Sequence, residues 1–329
     1  MFSKDAITID PATVVENVVA TIREQVLGTL RRKGAVVGLS GGVDSSVVAY
    51  LSARALGKER VLGLFMPERD SSGDSLRLGR LLASSLGIDA IVEDISDTLV
   101  GAGCYRRQDE AMRMVFPEYG EGYKSEIVLP SILESNRLNF FQLTIQGPDG
   151  STKTKRMPPA AYLQVVAATN FKQRTRKMME YFHADRLNYV VAGTPNYLEY
   201  DQGFFVKNGD GTADFKPIAH LFKSQVYQLA EYLGVPEEIR SRPPTTDTYS
   251  MEQTQEEFYF ALPYDKMDLC LYARDNNVPV TEVAPVVGIT PEQVERVFRD
   301  IDSKRRTTRY LHLPPLLVEK RRDFTADIG

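Results

Sequence analysis

Two patterns of hydrophobic positions alternate along the N-terminal part of the chain: helical spacing and short uninterrupted apolar runs. Apolar residues recur at helical spacing over about residues 11–32, after an Asp-Pro pair that suits the first turn of a helix. The next run, residues 35–39, is apolar without interruption, as is typical of a parallel strand that is covered on both faces. A helix over about 45–56 and a second apolar strand over 61–66 are predicted to follow.

The same order repeats towards the middle of the chain. Helices are predicted over about 74–86 and 159–185, and strands over 88–92 and 189–192. Strands that alternate with helices indicate βαβ units, and their crossovers are right-handed. We therefore expect an α/β fold, a doubly wound, mainly parallel sheet with helices on both faces (Rossmann-like), in one domain over residues 1–329.

Two regions depart from this alternation. Residues about 104–158 form an inserted excursion, in which a Gly-Pro-Asp-Gly turn separates residues 142–145 from 152–154 and predicts a β-hairpin. The region of about 236–306 is polar and predicted to be helical. It ends in the basic run Lys304, Arg305 and Arg306, which on its own is expected to be a solvated charge run.

Composition excludes several classes of function. A net charge of −4 over 329 residues gives no global attraction for nucleic acid, so no nucleic-acid partner is expected. Two cysteines, Cys104 and Cys270, are too few for a disulfide framework or a four-thiolate zinc site, and we expect ordinary buried thiols. The N-terminus has no apolar signal-peptide core and no stretch reaches the length of a membrane span. A cytoplasmic protein without a membrane partner is therefore predicted.

A glycine-rich loop between the first predicted strand and the following helix is the candidate phosphate site. It consists of Ser40, Gly41, Gly42, Val43, Asp44 and Ser45. A loop that opens a helix at the carboxyl end of a parallel strand directs several N–H groups at one point, where the helix dipole favours an anion. The two glycines let an oxyanion approach the backbone, and the serines add hydroxyl donors. A carboxylate in this position would repel phosphate unless a Mg²⁺ ion lies between them.

A lone glycine-rich turn is a weak signal, but this element is longer. It is neither GxxxxGK[ST] nor GxGxxG, and the full SGGxDS pattern at residues 40–45 resembles the PP-loop ATP pyrophosphatase superfamily. The resemblance implies an adenine nucleotide alpha hydrolase-like fold. It also implies cleavage of ATP between its α- and β-phosphates, adenylation of a carboxylate or carbonyl, and displacement of AMP by a nitrogen or sulfur nucleophile.

Later segments narrow the resemblance. Residues 193–225 contain GTPNYLEY, a KNGDGTAD turn and a Lys-x-Gln helix start, residues 242–247 read RPPTTD, and residues 288–306 read GITPEQVERVFRDIDSKRR. In this order the segments resemble the NAD⁺ synthetase family, over about residues 10–100 and 160–306. The resemblance implies that ammonia amidates nicotinic acid adenine dinucleotide (deamido-NAD) at the expense of ATP, with Mg²⁺ as cofactor.

The resemblance also implies roles for individual residues. The implied ATP ligands are Ser40, Gly41, Gly42, Val43, Asp44, Ser45, Thr194, Lys223 and Thr245. The implied Mg²⁺ ligands are Asp44 and Glu199. The implied contacts to the dinucleotide substrate are Asn170, Arg174, Asp210 and Asp214. Catalytic roles fall to Asp44, to Lys223, which would neutralise the triphosphate, and to Asp210, which would hold ammonium in the nucleophile pocket.

Partners follow from the same resemblance. The first helix begins near residue 11 and the ATP loop lies at residue 40, so no attached glutaminase domain is expected. Free ammonia, or ammonia from a separate glutaminase subunit, is implied. The family also implies a homodimer with the dinucleotide site near its interface.

Some readings remain open at this point. Pro195, Tyr197 and Leu198 depart from the family pattern, and the excursion is longer than the family segment, so a PP-loop ligase that amidates a different carboxylate is the alternative. A nucleotide-binding regulator without turnover is disfavoured because Asp44, Glu199 and Lys223 are all present. A tRNA-thiolating enzyme is disfavoured because such enzymes rely on catalytic cysteines and a basic RNA surface.

Overall fold

The computed structural model describes residues 2–128, 141–243, 251, 259 and 262–319. Its strands are β1 (Ala35–Gly38), β2 (Val61–Phe65), β3 (Asp89–Val92), β4 (Lys124–Val128), β5 (Gln142–Gln146), β6 (Thr152–Arg156) and β7 (Val190–Val191). Its α-helices are α1 (Pro11–Arg23), α2 (Val43–Leu56), α3 (Gly73–Leu86), α4 (Ser96–Gly101), α5 (Cys104–Arg113), α6 (Pro159–Leu187), α7 (Tyr197–Gln202), α8 (Lys223–Leu233), α9 (Glu237–Arg240), α10 (Tyr264–Asp275), α11 (Val280–Val287) and α12 (Pro291–His312). Short 3₁₀ turns lie at Lys4–Ile7 and Lys58–Arg60.

The central sheet is parallel and has the strand order β3-β2-β1-β7. Ala35 in β1 pairs with Val61 on one side and with Val190 on the other. The chain therefore winds outwards from β1 to β3 and then returns to the opposite side of β1. The loops that follow β1 and β7 emerge side by side at this switch point, where doubly wound folds bind ligands.

Helices cover both faces of the sheet, which confirms the predicted fold class. On one face, α1, α2, α3 and α8 pack around a core that includes Val37, Val47 and Leu229. On the other face, α6 packs against Val36 and Leu64. Because neighbouring residues of β1 enter opposite cores, the uninterrupted apolar run follows from burial on both sides.

The first predicted helix is interrupted before its expected end. Asp10 caps α1 by accepting from the amides of Ala12 (3.3 Å) and Thr13 (3.4 Å), as the Asp-Pro pair predicts. The α-helix ends at Arg23, and one wider π-helical turn, Glu24–Thr29, continues the chain. The prediction of one regular helix to residue 32 is therefore wrong in its last two turns.

The excursion contains the predicted hairpin. Strands β5 and β6 pair antiparallel around the turn at Gly147–Gly150, and β4 adds a third strand beside β5. Ile127 and Leu143 lie in a small core with α5 and the first turns of α6, where Val165 packs. Residues 129–140 of the excursion lie outside the described residues.

The described residues after Pro236 are largely helical, and α10, α11 and α12 enclose a core of their own. The basic run at the end of this region is not simply solvated. Arg305 pairs with Asp201 (2.9 Å) and Asp275 (2.6 Å), and Lys304 donates to the carbonyl of Tyr259 (2.8 Å). The expectation of a solvated charge run is wrong for these two residues, because Arg305 joins α12 to α7 and α10 and Lys304 joins it to Tyr259. None of the helices in the described part of the chain is long and apolar enough to cross a membrane.

Candidate active site

The SGGVDS loop connects β1 to α2 and is held together by its own serines. The hydroxyls of Ser40 and Ser45 lie 3.2 Å apart, the Gly42 amide donates to the Ser40 hydroxyl (3.3 Å), and the Ser45 hydroxyl donates to the Gly42 carbonyl (3.1 Å). No side chain caps α2 at Gly42. The loop therefore presents a helix N-terminus whose orphan amides are available to an anion.

Position 41 requires a glycine, both because of its backbone conformation and because of the atoms around it. Its φ of 76° lies in the left-handed region. A Cβ atom at this position would come within 2.7 Å of the Ser75 carbonyl oxygen. The loop therefore lies directly against the first turn of α3.

Asp44 joins the loop to two distant segments of the chain. Its Oδ1 accepts from Asn196 Nδ2 (3.0 Å), and its Oδ2 forms an ion pair with Lys223. Asn196 and Glu199 form a capping box at the start of α7, with Asn196 N donating to Glu199 Oε2 (3.2 Å). The two predicted metal carboxylates thus share one asparagine as a partner.

Lys223 is buried, with 3% of its side chain exposed, at the first position of α8. Burial alone would lower its pKa, but the carboxylates of Asp44 and Glu199 outweigh that effect and raise the pKa above its ordinary value. Asp268 anchors the next residue of α8, because its Oδ2 accepts from both the amide and the hydroxyl of Ser224 (2.7 Å each). Burial raises the pKa of Asp268 to about 6.

A cavity of 440 Å³ opens above this loop and brings most of the predicted site residues together. The predicted residues among its lining are Ser40, Gly42, Val43, Asp44, Ser45, Asn170, Thr194, Glu199, Asp210 and Lys223. Other lining residues are Phe65, Tyr162 and Phe205, so aromatic surface accompanies the charged groups. A pocket of this size with convergent polar groups is suited to a nucleotide.

Three predicted residues do not line this cavity. Gly41 faces α3, for the reason given above. Arg174 is exposed, and its Nε donates to the Lys207 carbonyl (3.3 Å). Asp214 accepts from the Val191 amide (2.7 Å) and the Tyr181 hydroxyl (3.2 Å), so it fastens the segment after β7. Thr245 lies outside the described residues.

The cavity is also lined by a cluster of buried charged residues that was not predicted from the sequence. Lys177 and Glu180, on α6, form a buried ion pair of 2.5 Å next to Asp210. Burial raises the pKa of both Asp210 and Glu180, although Lys177 acts in the opposite direction on each. Their spacing of three residues is the only signal that the sequence offered, and it is typical of any exposed helical pair.

The acidic pair at the loop suits Mg²⁺ once phosphate is present. Asp44 and Glu199 both line the cavity and offer the oxygen ligands that this ion prefers. In the described part of the chain, no group of three or more His, Cys, Asp or Glu side chains could hold a metal ion alone. Mg²⁺ is usually bound through one or two carboxylates and substrate phosphates.

Comparison with known proteins identifies the family. The NAD synthase family model matches residues 14–116 and 127–310. The chain belongs to the NAD synthase family. It is 65% identical over 311 residues to the NH(3)-dependent NAD(+) synthetase of Mesorhizobium japonicum, covering 94% of this chain and 98% of that one. It is 58% identical over 319 residues to the enzyme of the same name from Rhizobium meliloti, covering 97% and 95%.

Two solved structures share the fold at lower identity. The NH3-dependent NAD synthetase of Campylobacter jejuni, in complex with nitrate, aligns with a TM-score of 0.58 and 22% identity, over 94% of this chain and all of that one (100%). The NMN synthetase of Francisella tularensis aligns with a TM-score of 0.62 and 21% identity, over 94% and 98%. These similarities support the doubly wound architecture of this chain.

Proposed function

We propose that this protein amidates deamido-NAD with ammonia, using ATP, to give NAD⁺, AMP and pyrophosphate through an adenylated carboxylate. The observation that carries the proposal is the convergence of Asp44, Glu199 and Lys223 on the SGGVDS loop at the switch point of the sheet. The high identity to NH(3)-dependent NAD(+) synthetases over nearly the whole chain supports ammonia as the nucleophile and deamido-NAD as the acceptor.

In the first step, a carboxylate oxygen of the substrate attacks the α-phosphorus of ATP. The bond from that phosphorus to the bridging oxygen breaks, and pyrophosphate leaves with the electron pair. Lys223 and the loop amides stabilise the negative charge that spreads over the phosphoryl oxygens. The hydroxyls of Ser40, Ser45 and Thr194 line the same cavity and act as further donors, and Thr245 is proposed to join them.

Asp44 and Glu199 are proposed to hold Mg²⁺. When bound, the ion neutralises part of the charge on the phosphates and explains an acidic residue in an anion-binding loop. The ion pair with Lys223 orients the Asp44 carboxylate before ATP arrives. Asn196 fixes the other oxygen of the same carboxylate.

In the second step, ammonia attacks the acyl carbon, the bond to AMP breaks, and nitrogen loses a proton. Asp210 is proposed to hold the nucleophile and accept this proton, because its raised pKa makes a buried carboxylate a better base. Asn170 lines the cavity and is proposed to contact the dinucleotide. Arg174 and Asp214 stay proposed substrate contacts outside the cavity lining.

No covalent enzyme nucleophile is needed for this chemistry. Cys104 and Cys270 are both buried, and burial raises the pKa of their thiols to about 11 and about 12. Neither cysteine lines the cavity. Both are therefore proposed to be structural.

The active form is proposed to be a cytoplasmic homodimer that uses free ammonia or ammonia from a separate glutaminase. Leu163, Met178 and Phe182 on α6 are large, apolar and exposed, which supports an interface along this helix. Sedimentation equilibrium of the wild type and of Phe182→Asp tests the dimer. A monomeric wild type would contradict it.

The function is tested with purified protein, ATP, Mg²⁺, deamido-NAD and either ammonium or glutamine, assaying NAD⁺ and AMP. We expect both products in equal amounts with ammonium, far less with glutamine, and none with Asp44→Ala. AMP release only with another pyridine carboxylate would refute the proposed acceptor and favour the alternative ligase. No AMP with any acceptor would refute the ligase assignment.

A further inference from the structure

Arg242 lines the cavity, close to the ATP loop. Its Nη1 donates to the Ser75 hydroxyl and its Nη2 to the Ser72 hydroxyl, each at 3.2 Å. Ser72 is the capping residue of α3, and Ser75 lies in the first turn of that helix. The guanidinium is therefore fixed by two neutral hydroxyls on one helical turn.

This turn is the one that contacts the ATP loop. A Cβ atom at Gly41 would be 2.7 Å from the Ser75 carbonyl, so the backbone of the loop and the anchors of Arg242 are neighbours. Ser72 and Ser75 line the same cavity as Gly42. Arg242 thus lies beside the loop, on the side formed by α3.

Arg242 differs from the other cations of the cavity in its partners. Lys172, Lys177 and Lys223 each form an ion pair with a carboxylate. Arg176 lies within electrostatic range of Asp210 and Glu180. Within the described ranges, Arg242 bonds to the two hydroxyls and to no carboxylate.

A guanidinium in this state is suited to a multiply charged oxyanion. It carries five N–H donors, and the two hydroxyls account for two of them. The planar fork matches phosphate oxygens in a bidentate manner, which a lysine cannot do. Among the residues that the structure describes, no carboxylate has to be displaced from Arg242 before an anion binds.

We propose that Arg242 binds the β- and γ-phosphates of ATP and stabilises the departing pyrophosphate, with Ser72 and Ser75 as positioning residues. The inference rests on the proposed function and assigns different phosphate groups of ATP to different residues. Lys223 and the loop amides act at the α-phosphoryl group that is transferred. Arg242 acts on the charge that builds up on the leaving group when the bond to the α-phosphorus breaks.

The test compares Arg242→Met and Arg242→Lys with Arg80→Met, a charge-matched control at an exposed position of α3. Steady-state rates, inhibition by pyrophosphate and inhibition by AMP are measured for each. We expect Arg242→Met to lower kcat/KM for ATP by about 100-fold and to weaken pyrophosphate inhibition at least about tenfold. AMP inhibition should stay within about twofold, and Arg242→Lys should fall between the wild type and Arg242→Met.

Ser75→Ala provides a variant that keeps the positive charge and removes one anchor. We expect a weaker pyrophosphate inhibition than in the wild type with unchanged AMP inhibition, which a general loss of folding would not produce. Equal pyrophosphate inhibition in the wild type and a folded Arg242→Met, judged by circular dichroism, would overturn the inference.

Calorimetric titration with magnesium pyrophosphate separates this inference from the proposed function. A wild type that forms no NAD⁺ would refute the function, yet weaker pyrophosphate binding in Arg242→Met than in Arg80→Met would still support the phosphate site. Equal pyrophosphate binding in Arg242→Met and Arg80→Met would overturn the proposed phosphate site, whether or not the wild type forms NAD⁺.

Discussion

Replacing Gly41 by alanine tests why the ATP loop needs its first glycine. The backbone has a φ of 76°, which costs an L-residue roughly 1–2 kcal/mol. The new methyl group would also lie 2.7 Å from the Ser75 carbonyl and 3.1 Å from Leu78 Cβ, and such overpacking costs about 1–3 kcal/mol. The free energy of unfolding, measured by urea titration, should therefore fall by roughly 2–5 kcal/mol.

Two further glycines provide matched controls for this substitution. A Cβ at Gly73, the first residue of α3, would meet nothing within 4 Å, so Gly73→Ala should leave stability unchanged or raise it by about 0.5–1 kcal/mol. Gly42 has a φ of −93°, and its Cβ would approach only the Ser40 hydroxyl, at 3.3 Å. Gly42→Ala should therefore fold normally but raise the KM for ATP at least about tenfold, because a methyl group hinders the approach of phosphate to the loop.

A Gly41→Ala protein that is as stable as Gly73→Ala would mean that the loop does not lie against α3. A Gly42→Ala protein that binds ATP normally would mean that the loop does not receive the phosphates.

Further predictions concern buried ionisable groups. Lys223→Met leaves Asp44 without its ion-pair partner and should lower the free energy of unfolding by about 3–5 kcal/mol in urea titrations; a neutral effect would contradict the buried pair. Asp268 has a pKa raised to about 6, so its stabilising contribution is present below about pH 4 and is lost as the pH rises through 6. Asp268→Asn should flatten the pH dependence of unfolding across that window by up to about 3 kcal/mol, and an unchanged profile would refute this assignment. Cys104 and Cys270 should resist maleimide at pH 7.5 until the protein is denatured, which mass spectrometry can check; rapid labelling of the native protein would contradict their burial.

The sheet could be predicted from the sequence because its signals are local. Each buried strand is a short apolar run, and each helix between strands has a cap or a glycine at its end, such as Gly87 after α3. The π-helical turn at Glu24–Thr29 carried no such signal. Its residues suit an ordinary helix, and only the surrounding packing selects the wider turn.

The site could be predicted only as far as its motifs reach. The SGGVDS loop, Glu199 and Lys223 lie in recognisable segments, and the structure brings them to one cavity. Asn196 stands in one of those segments without a predicted role, yet it contacts Asp44 across 152 positions of the sequence. Contacts between such distant residues depend on tertiary packing, so they cannot be predicted from hydrophobic periodicity.

The burial of charged residues was equally hidden. Lys177 and Glu180 have the spacing of a surface pair, yet they form a buried ion pair with each other. Arg305 belongs to a basic run, yet it is only partly exposed and pairs with Asp201. Charged residues are seldom buried unless they are paired, so exposure is the correct expectation from composition. The partners become visible only when distant segments meet.

The adenylated carboxylate is the central claim, and isotope transfer tests it most directly. Deamido-NAD that carries ¹⁸O in its nicotinate carboxylate is incubated with the protein, ATP, Mg²⁺ and ammonium, and the products are analysed by mass spectrometry. Attack of that carboxylate on the α-phosphorus predicts one ¹⁸O atom in each AMP and none in pyrophosphate. Formation of ADP with ¹⁸O in inorganic phosphate, or AMP free of the label, would contradict the account.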